Sequence, residues 1–320
     1  MKIHKMSKLK HNSISYFYFQ ITLLLAVVVI FDFIAGETLR YFYFRQGSGE
    51  QSRTTYAIEK ATEEIIIFGS SRAYSHYNPA IFESHLKLSS YNFGRIGYFI
   101  PYHYAVLKAL LARVKPKIVI LDLTNNEFEK KQEDFEKLSA LLPYYKTHPE
   151  IRPVIELKSP YEKLKLFSKS YPFNSLILSI IAGNTDFHRD RDIHLKGHAP
   201  WRKNLEEPLK IVNTSKKYTL DPVKIELFES FIRECQRTDI RLFIICSPYF
   251  IKFTHKDPSV HLGEEIARKH QVDFWDYSQN PLFLGTQSFF ADPRHLNEEG
   301  SRIYSEIIAK NIRGRLGSVL

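Results

Sequence analysis

The chain has 320 residues, enough for one large domain or two small ones. At 44% hydrophobic and 14% aromatic it can bury a core, which excludes a disordered chain. The formal net charge of +10 comes from basic residues scattered among acids, with no nucleic-acid reader motif, so nucleic acid is set aside as a partner.

The first element is "SYFYFQITLLLAVVVIFDFIA", Ser15 to Ala35. About twenty mostly apolar residues match the thickness of a bilayer crossed as a helix. Lys2, Lys5, Lys8 and Lys10 precede it and hold the N-terminus in the cytoplasm by the positive-inside rule. Tyr16–Tyr18 and Tyr41–Tyr43 read as interfacial aromatics, and Gln20 and Asp32 lie where polar atoms reach the headgroups. A cleaved signal peptide is the competing reading, but Phe33 spoils the small-residue pair that cleavage at Ala35-Gly36 needs. The expected organisation is a basic tail over 1–14, an anchor over 15–36 and a body over 37–320 outside the cytoplasm.

In that body, "EIIIFG" reads as a buried strand, "PAIFESHLK" as a helix capped by Asn78, and "SSYNFG" as a strand. "YHYAVLKALLARV" is helical and "KIVILDL" is another buried strand. An insertion over about 129–220 breaks the rhythm and reads as mostly helical with a polar loop, "DFHRDRDIHLKGHAPWRKN". Beyond it come the helix "PVKIELFESFIRECQRT", the strand "RLFIICSPY", the helix "LGEEIARKH", the strand "VDFWDY" and the helix "NEEGSRIYSEIIAKNI". Strands alternating with helices predict an α/β fold in three layers, a mostly parallel sheet with helices on both faces. Cys235 and Cys246 fit no zinc spacing and read as buried thiols, with a disulfide between them left open.

Four segments hold the side chains that could do chemistry: Gly69-Ser70-Ser71-Arg72 after the first strand, Asn92-x-Gly94-x-x-Gly97 after the second, Thr124-Asn125-Asn126-Glu127 after the third, and Asp292-x-x-His295 before the last helix. Each has a bland account: a strand exit, a weak match to a dinucleotide loop, ordinary turn residues, a helix cap. Together they supply what a serine nucleophile requires, namely a base, an orienting acid and donors for an oxyanion. The chain has only 13 glycines, yet Gly69, Gly94 and Gly97 fall at the first two strand ends.

This order of motifs resembles the SGNH/GDSL hydrolase superfamily, from about Ile65 to Ile308 apart from the insertion. The resemblance implies an SGNH/flavodoxin-like fold, Ser71 as nucleophile, His295 as base and Asp292 as its orienting carboxylate. It implies an oxyanion hole from the Ser71 and Gly94 backbone N–H groups and the Asn126 side chain, with Asn125 competing for the last role. Ser70 stands where the family has Asp, Arg72 follows the nucleophile, and the third block departs from G-x-N-D. These departures are similar to the membrane-anchored cell-envelope branch, which includes the D-alanyl-lipoteichoic acid and alginate O-acetylation proteins. That branch implies a bacterial inner-membrane protein acting on acylated envelope glycans, beside a membrane-bound O-acyltransferase and without a cofactor. The alternative is an inactive domain that binds polysaccharide or scaffolds a partner.

Arg72, Tyr98 and Trp201 are the expected substrate contacts. Tyr98, Tyr102, His103 and Tyr104 either line the pocket or belong to the core. Trp201, with His194, His198, Arg202 and Lys203, offers a stacking face or simply sits in a solvated loop. A metal held by His188, His194 and His198 lacks a carboxylate partner, and no metal is expected.

Overall fold

Parallel strands buried on both faces require continuous apolar runs, and each run identified above becomes one. A computed structural model describes residues 2–185, 196–213 and 218–317, with side chains from residue 14 onward. Helix α1 (Lys2–Arg45) is followed by α2 (Gly49–Thr55), β1 (Ile65–Gly69), α3 (Ser71–His76), α4 (Pro79–Leu86), β2 (Ser90–Asn92), α5 (Ile100–Leu111) and β3 (Ile118–Asp122). The insertion carries α6 (Gln132–Glu136), α7 (Arg152–Glu156), α8 (Glu162–Lys165), α9 (Ile177–Gly183), several 3-10 turns and β4 (Lys210–Val212). Then come α10 (Pro222–Arg237), β5 (Arg241–Cys246), β6 (Ile251–Phe253), α11 (Pro258–Lys269), β7 (Asp273–Asp276), α12 (Pro281–Leu284), β8 (Phe290–Asp292), β9 (His295–Leu296) and α13 (Glu298–Leu316).

The central sheet has five strands in the order β2-β1-β3-β5-β7, all parallel. This flavodoxin-like order reverses direction beside β1, so a crevice opens beyond the carboxyl ends of β1 and β3. The pleat sorts the core into two halves. Ile66, Phe68, Val119 and Leu121 pack under α5 and α10 on one face. Ile65, Ile67, Ile118 and Ile120 pack against α4 and α13 on the other, with Phe82, Tyr304 and Ile308. The three-layer α/β/α reading therefore holds. Cys235 and Cys246 are free and buried, and burial pushes both thiols up.

The predicted start of α4 is present, with Asn78 accepting from the Ala80 N–H at 3.1 Å. The first helix runs past the expected end at residue 36, to Arg45. The reason is packing: Tyr43 is fully buried, 5.7 Å ring to ring from Phe173 of the insertion. Asp32 does not simply reach for headgroups. Its carboxylate accepts from the Lys169 N–H (2.7 Å), the Ser168 hydroxyl (2.7 Å) and the Ser170 N–H (3.1 Å).

Candidate active site

Gly69 ends β1 with φ +141, a conformation L side chains rarely adopt. A Cβ there would also lie 2.8 Å from both the Asp122 carbonyl oxygen and the Ala73 Cβ. The turn is thus tight enough for α3 to begin at once, with Ser71 as its first residue. A residue at that position has no intrahelical partner for its N–H, and the Ser71 N–H has none among the described residues.

Ser71 Oγ lies 2.8 Å from His295 Nε2. His295 Nδ1 lies 2.9 and 3.0 Å from the two Asp292 carboxylate oxygens. The Asp-x-x-His spacing works through a hairpin: Asp292 and His295 face each other across β8 and β9, joined by Pro293-Arg294. The Asp292 carboxylate also accepts from the Arg294 N–H at 2.8 Å and the His295 N–H at 3.1 Å. Partial burial works against its charge, but the His295 imidazole and these N–H groups hold it below the usual carboxylate range. A carboxylate on Nδ1 fixes that nitrogen as the donor and leaves Nε2 to accept the Ser71 proton.

Beneath this exposed layer lies a buried one. Arg72 is 2% exposed. Its Nε donates to Ser247 Oγ at 3.0 Å and a terminal nitrogen to the Ser247 carbonyl at 2.7 Å. It pairs with Asp122 at 3.5 Å and stacks 3.8 Å over the Tyr249 ring. The expectation that Arg72 contacts substrate is corrected: a guanidinium ion-paired under the sheet end does not face the crevice. His76, unread in the sequence, belongs to the same layer. The Leu296 N–H donates to its Nε2 at 3.0 Å, which leaves Nδ1 to donate to Ser247 Oγ at 3.0 Å. Burial, then the neighbouring Arg72 charge, pushes His76 well below its ordinary value, so it is a neutral strut behind His295.

The second strand end holds a second correction. The Gly94 N–H donates to Asn92 Oδ1 at 2.8 Å, so it is not turned toward an oxyanion. Gly94 is a glycine for contact: a Cβ there would meet the Tyr74 nitrogen at 2.3 Å. The Asn92 amide is fully used, its nitrogen donating to the Ala73 (2.7 Å) and Tyr77 (2.9 Å) carbonyls. Asn-x-Gly is a local pattern in which a side chain caps the N–H two residues on, and that signal was there to be read. Gly97, at φ +75, has an N–H without a partner among the described residues.

At the third strand end Asn126 takes the left-handed conformation, φ 62, which Asn tolerates. It is exposed, with its own N–H on Asp257. Asn125 turns its N–H to the Tyr249 hydroxyl and lines a separate cleft with Lys256, Asp257 and Asp276.

Trp201 is not in a solvated loop. Its ring lies 5.6 Å from the His295 ring, its carbonyl accepts from the Glu298 N–H at 2.9 Å, and its Nε1 is buried with no partner among the described residues. The strap leading to it is clamped by Arg53, which donates to the Gly94 (2.9 Å) and Gly197 (2.6 Å) carbonyls. Tyr98 packs instead with Arg95 and Tyr102, at 4.3 and 4.6 Å, so its ring belongs to the packing around α5. His198 is buried and bonds the Ser75 carbonyl at 3.0 Å. His188 and His194 lie outside the described residues. Among the described residues no group of three His, Cys, Asp or Glu is arranged to hold a metal ion.

No protein-family model matches the chain, and no curated protein matches it. Solved structures similar to it include a candidate lipolytic protein of the G-D-S-L family from Desulfitobacterium hafniense, 10% identical with a TM-score of 0.39 over 77% of this chain and 97% of that one. Another is a candidate acylhydrolase from Bacteroides fragilis, 11% identical with a TM-score of 0.39 over 83% of this chain and 97% of that one. The functional reading rests on the site's own geometry.

Proposed function

We propose that this chain is a membrane-anchored serine esterase or O-acyltransferase of the SGNH type, acting on acyl esters, foremost acetyl esters, of a cell-envelope polysaccharide. The observation that carries it is the continuous relay from Ser71 Oγ through His295 to Asp292. Ser71 Oγ attacks the ester carbonyl carbon while His295 Nε2 takes the hydroxyl proton. The carbonyl π electrons move to oxygen, where the Ser71 N–H and the Asn126 side chain stabilise the oxyanion. Collapse expels the alcohol, protonated by His295, and leaves an acyl-serine. Water or a sugar hydroxyl then attacks that ester with His295 again as base, giving hydrolysis or transfer. Trp201, tilted beside His295, offers an apolar ring face to the sugar. In this reading residues 15–36 cross the inner membrane with the N-terminus in the cytoplasm, and the site works outside, beside a membrane-bound O-acyltransferase.

The test is hydrolysis of an activated acetyl ester by the purified full-length protein in detergent. Ser71→Ala and His295→Ala are each expected to lower kcat about 10⁴-fold or more, with the circular dichroism spectrum unchanged. Variants as fast as the wild type would favour the inactive, polysaccharide-binding alternative.

A further inference from the structure

The mechanism above leaves one surface unexplained. The insertion segment from Ser168 to Asn184 runs alongside the end of α1, in the same direction. Ser168, Lys169 and Ser170 bond Asp32, the Gly183 carbonyl accepts from the Gly47 N–H at 3.3 Å, and the Asn184 amide donates to the Phe42 carbonyl at 2.8 Å. A Cβ on Gly36 would lie 2.5 Å from Lys169, so the two backbones are in direct contact. The stretch "ILSIIAG" of α9 carries no charged residue. Its inner side is buried through Ile180, yet Leu178 is 82% and Ile181 56% exposed on the outer side. Phe167 is 82% exposed and Leu164 66%, in the turn and helix just before. A helix apolar all round belongs in a protein core or in lipid, and a soluble surface rarely gathers so much exposed apolar area.

This patch is continuous with α1. The stretch Ile14–Arg45 of that helix corresponds to about 48 Å at 1.5 Å per residue, well beyond the roughly 30 Å of a hydrocarbon core. Its outer part, from Asp32 to Arg45, is the part that the insertion flanks. Tyr41, Phe42 and Tyr161 are all exposed at this level, the composition of an interfacial belt.

We propose that Leu164, Phe167, Leu178 and Ile181 enter the outer leaflet of the bilayer beside α1, so that the body is clamped to the membrane surface by the insertion rather than hung from a flexible tether. The inference rests on the reading of α1 as a membrane anchor. Asp32 then serves as the lock between the two membrane-contacting pieces: four side-chain and backbone donors satisfy it, which explains an acid in the otherwise uncharged stretch 15–36.

The test uses the full chain in liposomes whose acyl chains carry bromine, with a fluorophore on a single added cysteine at Val28, Phe167, Leu178 or Leu282. Cys235 and Cys246 are buried, and protein without an added cysteine gives the background. Groups within about 10 Å of the headgroup–acyl boundary should be quenched about twofold or more, which is the expectation at Phe167 and Leu178 as well as Val28, with Leu282 unquenched. If Val28 is quenched while Phe167 and Leu178 behave like Leu282, the proposal is overturned and the anchor stands. If Val28 is unquenched, the anchor reading fails and takes this inference with it. Probes at Phe167 and Leu178 that are shielded from aqueous iodide yet unquenched by the lipid would show a second copy of the chain covering the patch, which also overturns it.

Discussion

Ser71 and Arg72 are adjacent in sequence and face opposite environments. Ser71 Oγ is half-buried against His295, while Arg72 is turned under the sheet among Asp122, Ser247 and Tyr249. The upper layer, Ser71, His295 and Asp292, is partly exposed and joined end to end. The lower layer, Arg72, His76, Asp122 and Ser247, is buried. A reactive group has to be reachable, and the geometry it needs is supplied by neighbours that are not. The role of a motif residue therefore follows from what its side chain reaches, and one step along a helix reverses it.

Substitutions should separate the layers. In the upper layer, Ser71→Ala removes the proposed nucleophile, with the loss of about 10⁴-fold or more given above and a melting temperature close to that of the wild type. In the lower layer, Arg72→Ala leaves Asp122 buried and unpaired. The expected cost is about 3–5 kcal/mol of stability by urea unfolding; a cost below about 1 kcal/mol would mean that the pair does not support the turn. Asn126→Ala should leave stability nearly unchanged and lower kcat about 10²–10³-fold with the activated ester, as loss of one oxyanion donor does. A change confined to KM would place Asn126 in substrate binding instead.

Acid should act on the buried layer first. Burial holds His76 well below 6.5, and pushes His103 down to about 3 and His198 to about 4. Between those values and 6.5 the unfolded chain binds the extra protons, so stability rises with pH and is lost as pH falls. Glu127, pushed up to about 8 by burial, works the other way above 4.5, and Asp122, raised for the same reason, does so lower down. Three imidazoles outnumber two carboxyls by one, so stability should fall by up to about 1.4 kcal/mol per unit from pH 6.5 to 5. Flat stability over that window would show that the histidines are not buried neutral.

The sheet was legible because buried parallel strands are written as unbroken apolar runs, and "IIIFG", "KIVILD" and "RLFIIC" leave little choice. The Asp292–His295 pairing was legible because it is local, three residues apart across one hairpin. Arg72 was not, since Asp122 and Ser247 lie 50 and 175 residues away and nothing at position 72 announces them. His76 had no local signal either: its partners, Ser247 and Leu296, meet it only in the folded chain. Trp201 shows the same limit from the other side. A polar, loop-like composition hid a strap that Arg53 and the backbone of α13 hold against His295.

The central claim is that Ser71 is a nucleophile activated by His295. A fluorophosphonate should attach covalently to the full-length protein, with the adduct on the peptide that contains Ser71 and no labelling of Ser71→Ala. Absence of an adduct on active protein, or an adduct on any other residue, would contradict it.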